Sequence, residues 1–288
     1  MSYVDLYLTP PTASQQGRNK EPDVYMFGIP FDATCSYKPG TRFGPNALRE
    51  AFVNVEINST RYNVQLESLT IEDLGNLKFT VNPCNMLDMV GKVTNEVIAK
   101  NKQTVILGGE HLLTFGTFMG MPEDTSLVVF DAHYDLRDEF TDTKLSHATF
   151  LRRIIEKKGT GNMVHVGARG FGMEEVEFRD RMNLKSISGK ELLNGNGMKI
   201  FKDTISSFDN IYVSIDLDVV DPAFAPGVGT PETLGITSQQ LMDLVYVMED
   251  KGIRCFDIVE LSPPYDNGAT AALAVKLITE MIIMNSGY

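Results

Sequence analysis

The sequence predicts an α/β fold built on a mainly parallel sheet of about eight strands covered by helices. Three observations carry that expectation. Short apolar runs of strand length recur along the 288 residues, helical patterns fill the intervals between them, and acidic and histidine residues gather where the apolar runs stop. Strands apolar on both faces, alternating with helices, are characteristic of a parallel sheet buried between helical layers, with ligands bound beyond the carboxyl ends of the strands. An open three-layer sheet and a closed barrel both satisfy this pattern.

In chain order, the opening "MSYVDLYLTPPTASQQGRNKEPD" is polar, carries Pro10, Pro11 and Gly17, and reads as an N-terminal arm over residues 1–22. The runs "DVYMFGIP", "QTVILGGE", "SLVVFDAH", "NMVHVGAR", "NIYVSIDLD" and "IRCFDIVELSPP" are expected strands, with "LTIEDLG" and "LKSIS" as weaker ones. The expected helices are "GPNALREAFVNV", "NMLDMVGKVTNEVIAKN", "ATFLRRIIEKKG", "EEVEFRDRMN", "KELLNGNGMKIFKDTISSF", "TSQQLMDLVYVMEDKG" and "ATAALAVKLITEMIIMN". No linker, repeat or low-complexity block divides them, so one domain over residues 1–288 is expected.

A formal charge of -12 argues against a nucleic-acid surface and mildly favours cationic partners. Cys35, Cys84 and Cys255 are far apart and form no metal-type spacing, which suits a reducing compartment. No apolar run approaches the roughly 20 residues of a membrane span, and the N-terminus has no basic region followed by an apolar core. A cytoplasmic location without membrane contact is the expectation.

The chemistry lies at the strand ends. "VILGGEH" brings Glu110 and His111, "VVFDAHYD" brings Asp131, His133 and Asp135, "YVSIDLDVVDP" brings Asp216, Asp218 and Asp221, and "CFDIVELSPPYD" adds Glu260. If Asp131, His133 and Asp135 continue the strand, they point to one side of it. Two carboxylates about 4 Å apart repel by about 4 kcal/mol at an effective dielectric near 20, so protonation, a salt bridge or a cation must relieve them. Asp131, Asp135, Asp216 and Asp218 bring four negative charges, while His111 and His133 are neutral as ligands. Two divalent cations balance that sum, and a carboxylate-rich set without cysteine favours Mn2+, with Fe2+, Co2+ or Zn2+ as alternatives. Any one of these acids could be an ordinary turn or helix cap, the reading preferred for Asp221 before Pro222. His165, inside a strand, reads as a core residue, and the glycines of "LGGE" as a tight strand-to-helix turn.

At these residues the sequence resembles the ureohydrolase family, the arginases and agmatinases, from "GIPFDATCSYKPGTRFGPNALRE" to the C-terminus. The Gly-Gly-Asp-His motif of that family stands here as "GGEH", its Asp-Ala-His-x-Asp as "DAHYD", and its Asp-x-Asp followed by Asp-Pro and Gly-Thr-Pro as "SIDLDVVDPAFAPGVGTPE". The resemblance implies the three-layer α/β/α architecture, a homo-oligomer (trimer or hexamer) and two Mn2+ per chain. Its ligands fall on His111, Asp131, His133, Asp135, Asp216 and Asp218, with Asp131 and Asp216 bridging. It also places a proton-transferring histidine on His147, a guanidinium-binding glutamate on Glu260, and a pocket threonine on Thr230. Taken alone, His147 could start a helix and Glu260 could pair with a lysine. Two departures, Glu110 for Asp and Leu112 for Ser, bear on how His111 is oriented.

The implied reaction is hydrolysis of a small cationic guanidino substrate to urea and an amine, with Asp218 and the cations stabilising the tetrahedral intermediate. "GIPFDAT", "YKPGTRFGP" and "SPPYD" look like agmatinase rather than arginase, which makes agmatine the expected substrate. Asp138, Glu139 and Asp142 would either receive a cationic tail or form a solvated loop. Sister ureohydrolases acting on arginine, guanidinobutyrate, guanidinopropionate or formimidoylglutamate are the nearest rivals. More distant ones are a single-zinc deacetylase and a non-catalytic, metal-stabilised oligomer that binds polyamines.

Overall fold

The structure is a computed structural model that describes residues 2–11 and 21–287, so much of the expected arm lies outside the described residues. The chain opens with α1 (Tyr3–Tyr7), β1 (Leu8–Thr9), β2 (Val24–Gly28) and α2 (Gly44–Asn54). A small hairpin, β3 (Asn58–Ser59) and β4 (Val64–Gln65), precedes β5 (Ile71–Leu77) and α3 (Pro83–Ile98). The middle of the chain forms β6 (Gln103–Leu107), α4 (Leu113–Met119), β7 (Ser126–Phe130), α5 (Phe150–Lys158), β8 (Met163–Val166) and α6 (Met173–Met182). Then come β9 (Lys185–Ile187), α7 (Gly189–Leu193), α8 (Asn196–Thr204), β10 (Ile211–Asp216), α9 (Ser238–Tyr246), β11 (Ile253–Val259) and α10 (Ala269–Asn285).

All eight expected strands form, and a ninth, β1, pairs antiparallel with β5 through Leu8↔Leu77 and Thr9↔Asn76. A two-residue strand has no alternation to read, which is why "LT" carried no signal. The sheet order is β1-β5-β2-β6-β11-β10-β7-β8-β9, with every pair after the first parallel. Strands β2, β6, β7 and β10 are buried along their whole length, as central parallel strands must be.

The architecture is three-layer α/β/α. One core packs Leu48 of α2, Phe201 of α8, Leu241 of α9 and Ala274 of α10 against one face of the sheet. The other packs Val90 of α3, Phe115 of α4, Ile154 of α5 and Phe178 of α6 against the opposite face. Helix α4, "LTFGTFM", went unread because it is apolar nearly all round and buried on every side, so it has no amphipathic period. The long expected helix from Lys190 to Phe208 breaks into α7 and α8 at Gly195, whose φ of 80° no helix interior accepts. Among the described residues no helix is long and apolar enough to cross a membrane, and the three cysteines are free.

Candidate metal centre

Four neighbouring strands, β6, β11, β10 and β7, end at the same edge of the sheet and deliver His111, Glu260, Asp216 with Asp218, and Asp131 with His133 and Asp135. Their convergence does not come from strand alternation. Strand β7 stops at Phe130, and the Asp131 Oδ1 atom accepts from the His133 backbone N–H at 2.6 Å, turning the chain at once. Asp135 then sits in the left-handed region with φ 52°. The same device recurs on β10, where Asp216 Oδ1 accepts from the Asp218 N–H at 2.8 Å. Short carboxyl side chains bond the backbone two residues on, so each Asp-x-Asp or Asp-x-His motif builds its own turn.

The polar atoms form two overlapping cages. His111, Asp131 and Asp135 offer ligand atoms within 4.8 Å of one another, and so do Asp131, His133 and Asp218. Asp216 joins the first, its Oδ2 lying 3.2 Å from His111 Nδ1. His133 Nδ1 is 3.0 Å from Asp218 Oδ2. Asp131 belongs to both cages. His111 Nδ1 and Asp131 Oδ2 are buried and have no hydrogen-bond partner among the described residues, although they lie 3.1 Å apart. Orphaned lone pairs that face one another, from imidazoles and carboxylates without thiolate, fit hard or borderline divalent cations.

The electrostatics carry the same message. Burial and the neighbouring carboxylates push Asp135 and Asp216 well above the usual carboxylate range. Burial also works to lower the His111 pKa, but its contacts with Asp131 and Asp216 outweigh that and raise it well above an ordinary histidine. Without cations, the acids must hold protons or the imidazoles must be charged. The ring of His111 is set by Ser214, 2.9 Å from Nε2, and Ser214 in turn donates to the buried Asp257 at 2.7 Å. Ser214 spends its hydrogen on Asp257, so it accepts from His111 Nε2–H and leaves Nδ1 as the nitrogen that faces the carboxylates.

Glu260 lies just past β11 with φ 64°, and its Oε1 accepts from the His111 N–H at 2.7 Å. Burial and repulsion from Glu110 push its pKa up to about 8. Thr230 donates to Asp218 Oδ2 at 3.3 Å. His147 opens the single turn His147–Thr149 that leads into α5, so the helix-start reading holds together with a place in the site. A cavity of about 270 Å³ is lined by His133, Asp135, His147, Asp216, Thr230 and Glu260, along with Ser36, Arg137, Phe140, Glu175 and Glu232. Every expected site residue therefore lies in one of the cages or in the wall of this cavity.

A model of the arginase family matches residues 22–284. The chain belongs to the arginase family. It is 35% identical over 273 residues to an agmatinase of Bacillus subtilis, covering 92% of both chains. An N(1)-aminopropylagmatine ureohydrolase of Thermococcus kodakarensis is 33% identical over 258 residues, covering 88% of this chain and 87% of that one. The crystal structure of an agmatine ureohydrolase of Thermoplasma volcanium superposes with a TM-score of 0.89 at 34% identity, covering 98% and 96% of the two chains. The protein is thus an agmatinase-like ureohydrolase, a metal-binding amidinohydrolase.

Other expectations change. Glu110 reaches Thr34 with both carboxylate oxygens and Leu112 is a buried core residue, while the contact on His111 Nε2 comes from Ser214. Asp138 pairs with Arg153 at 2.9 Å and Arg152 at 3.4 Å, and none of Asp138, Glu139 and Asp142 lines the cavity. The solvated-loop alternative describes them. Asp221 is a turn residue, its carboxylate accepting from Ala223 and Gly235. The glycines of "LGGE" serve close packing: a Cβ on Gly109 would sit 2.1 Å from the Phe31 carbonyl oxygen.

Some supporting residues gave no sequence signal. Buried His165 donates from Nε2 to the His133 carbonyl at 2.6 Å. Arg169 donates to the carbonyls of Asp218 and Glu232 at 2.7 Å, Val219 at 3.0 Å and Thr233 at 3.1 Å, stitching the Asp218 turn to the loop bearing Thr230. Backbone-directed contacts of this kind leave no motif, because carbonyls are the same in every residue.

Proposed function

We propose that the chain hydrolyses agmatine to putrescine and urea, using two Mn2+ held by His111, Asp131, His133, Asp135, Asp216 and Asp218. The observation that carries this reading is the placement of Glu260, a buried carboxylate with no cationic side chain paired to it among the described residues, in the cavity wall beside the two cages. Bound there, the two cations would supply Lewis acidity to the hydrolytic water. Glu260 accepts hydrogen bonds from the guanidinium and fixes the orientation of its planar carbon. Asp218, which accepts from Thr230 at 3.3 Å, would help to stabilise the tetrahedral intermediate, with Thr230 in the pocket wall beside it. His147 moves the proton between solvent and the leaving amine. The names of the relatives support an amine-tailed substrate, and so does Glu232, a half-exposed cavity carboxylate whose one close partner among the described residues is His133 Nε2 at 3.5 Å.

A carboxylate-tailed guanidine is the competing reading, favoured by Arg137 in the same wall. That guanidinium is already shared with Glu174 at 3.4 Å and Glu175 at 3.8 Å, which weakens it as a receptor. Urea release from Mn2+-loaded protein, with agmatine, arginine, guanidinobutyrate and guanidinopropionate side by side, tests the assignment. Agmatine is expected to exceed arginine about a hundredfold in kcat/KM, because an unpaired carboxylate in an acidic cleft costs a few kcal/mol. Equal rates would overturn the substrate and spare the reaction class. The trimer or hexamer is part of the same reading, and light scattering on the purified chain checks it.

A further inference from the structure

His147 has two ring nitrogens, and proton transfer requires that the correct one face the cavity. Its surroundings include three residues to which the reaction assigns nothing: Glu110, Thr34 and Ser36. Thr34 and Ser36 belong to the "DATCS" loop after β2, and Glu110 to the turn after β6. Glu110 is fully buried. Its Oε2 accepts from the Thr34 N–H at 2.8 Å and its Oε1 from the Thr34 hydroxyl at 2.5 Å. A buried carboxylate satisfied by one threonine fixes that threonine firmly.

Thr34 Oγ1 carries one hydrogen, and Glu110 takes it. The oxygen can then only accept from any further neighbour. It accepts from the His147 backbone N–H at 3.1 Å, and His147 Nδ1 lies 3.5 Å from the same atom. That long contact is favourable only when Nδ1 carries the proton. On the other side of the ring, Nε2 lies 3.2 Å from Ser36 Oγ, a hydroxyl in the cavity wall that can donate to it. The ring also meets Phe140 in a T-shaped contact, centroids 5.5 Å apart, so it is flanked on a third side.

We propose that Glu110, acting through Thr34, holds His147 in the Nδ1-protonated tautomer, so that Nε2 is the nitrogen that takes up and releases the proton at the cavity. Glu110 and Thr34 are positioning residues; neither touches the reacting atoms. The hydrogen bond made by one ring nitrogen sets the protonation of the other. The inference rests on the proton-transfer role of His147 only for its effect on rate, since the tautomer itself is a property of the fold.

The chain has four histidines, so its imidazole nitrogens can be resolved by 15N spectroscopy on histidine-labelled, metal-free protein at pH 9, with His147→Gln identifying the signals. Wild type is expected to show His147 protonated at Nδ1. Thr34→Val and Glu110→Met should both shift it toward Nε2, and Thr34→Ser should restore Nδ1. After Mn2+ loading, Thr34→Val should lower kcat on agmatine about tenfold to a hundredfold, less than loss of the imidazole itself. Its KM and metal content should stay near wild type, and Thr34→Ser should recover the rate. Wild type protonated at Nε2, or Thr34→Val keeping either the wild-type tautomer or the wild-type kcat, would overturn the proposal. Wild type releasing no urea from any guanidine would instead sink the proposed function, while the spectra still decide the tautomer.

Discussion

At the scale of single residues, the proposed function assigns cation binding and proton transfer to different groups. His133 lies inside a cage, 3.0 Å from Asp218, whereas burial and repulsion from His133 push the His147 pKa down to about 4 in the cavity wall. His147→Ala should therefore lower kcat about a hundredfold to ten-thousandfold with metal content near wild type. His133→Ala should lose metal and activity together, and elemental analysis beside urea release checks the pair. Loss of metal from His147→Ala would show that it is not the shuttle. Protons and cations also compete for the cages. With the pKa values of Asp135, Asp216, His111 and His133 all raised in the metal-free fold, each of these groups retains protons to higher pH than usual and must give them up on binding. Mn2+ affinity is thus expected to rise between pH 6 and pH 8.5, by up to about tenfold per pH unit for each proton displaced. Calorimetric titrations at several pH values read it, and a flat profile would contradict it. The ligand types were legible from the motifs; the orientation of Asp138 was not, because nothing local announces that Arg152 and Arg153 of α5 will claim it.

At the scale of elements, the turns after β7 and β10 are held by groups from β8 and the segment that follows it. His165 supports the first through the His133 carbonyl, and Arg169 the second through the carbonyls of Asp218 and Val219. A planar guanidinium reaches several carbonyls at once, and an ammonium does not. Arg169→Lys is therefore expected to cost about 2–4 kcal/mol in denaturant unfolding, from hydrogen bonds to a charged group that are lost. It should also weaken Mn2+ binding, since the Asp218 turn loses its tie to the loop of Thr230. Wild-type stability with wild-type metal affinity would show the Arg169 contacts to be incidental. The continuous apolar runs of β6, β7 and β10 and the amphipathic pattern of α3 were readable. Helix α4 and strand β1 were not, one being apolar nearly all round and the other too short to alternate.

At the scale of the whole molecule, the cages join β6, β7 and β10 across the middle of the sheet, with β11 between β6 and β10. Ligands that bind only the folded state stabilise it by mass action, about 2.7 kcal/mol for each site at a hundredfold excess over Kd. Mn2+ should raise the melting temperature and a chelator should reverse it. Metal analysis should saturate at two per chain for wild type and at one for Asp218→Asn, which alters the cage shared with His133. Saturation of wild type at one would remove the paired-cation reading.

The sequence by itself determined what each strand would end in and what chemistry those ends could perform. Apolar runs of strand length and the Asp-x-His and Asp-x-Asp motifs are local properties, and the motifs survive into the fold because their own short-range bonds build the turns. Only the tertiary structure decided which ends are neighbours. Strands β10 and β11 come late in the chain, yet they insert between β6 and β7, and that order alone brings His111, Glu260, Asp216 and Asp131 to one edge. Strand order follows from how the helices on both faces pack together, a sum over contacts distant in sequence, so no window of residues contains it. The tie from Glu110 through Thr34 to His147 has the same origin, since it crosses from the turn after β6 to the loop after β2 and on to the start of α5.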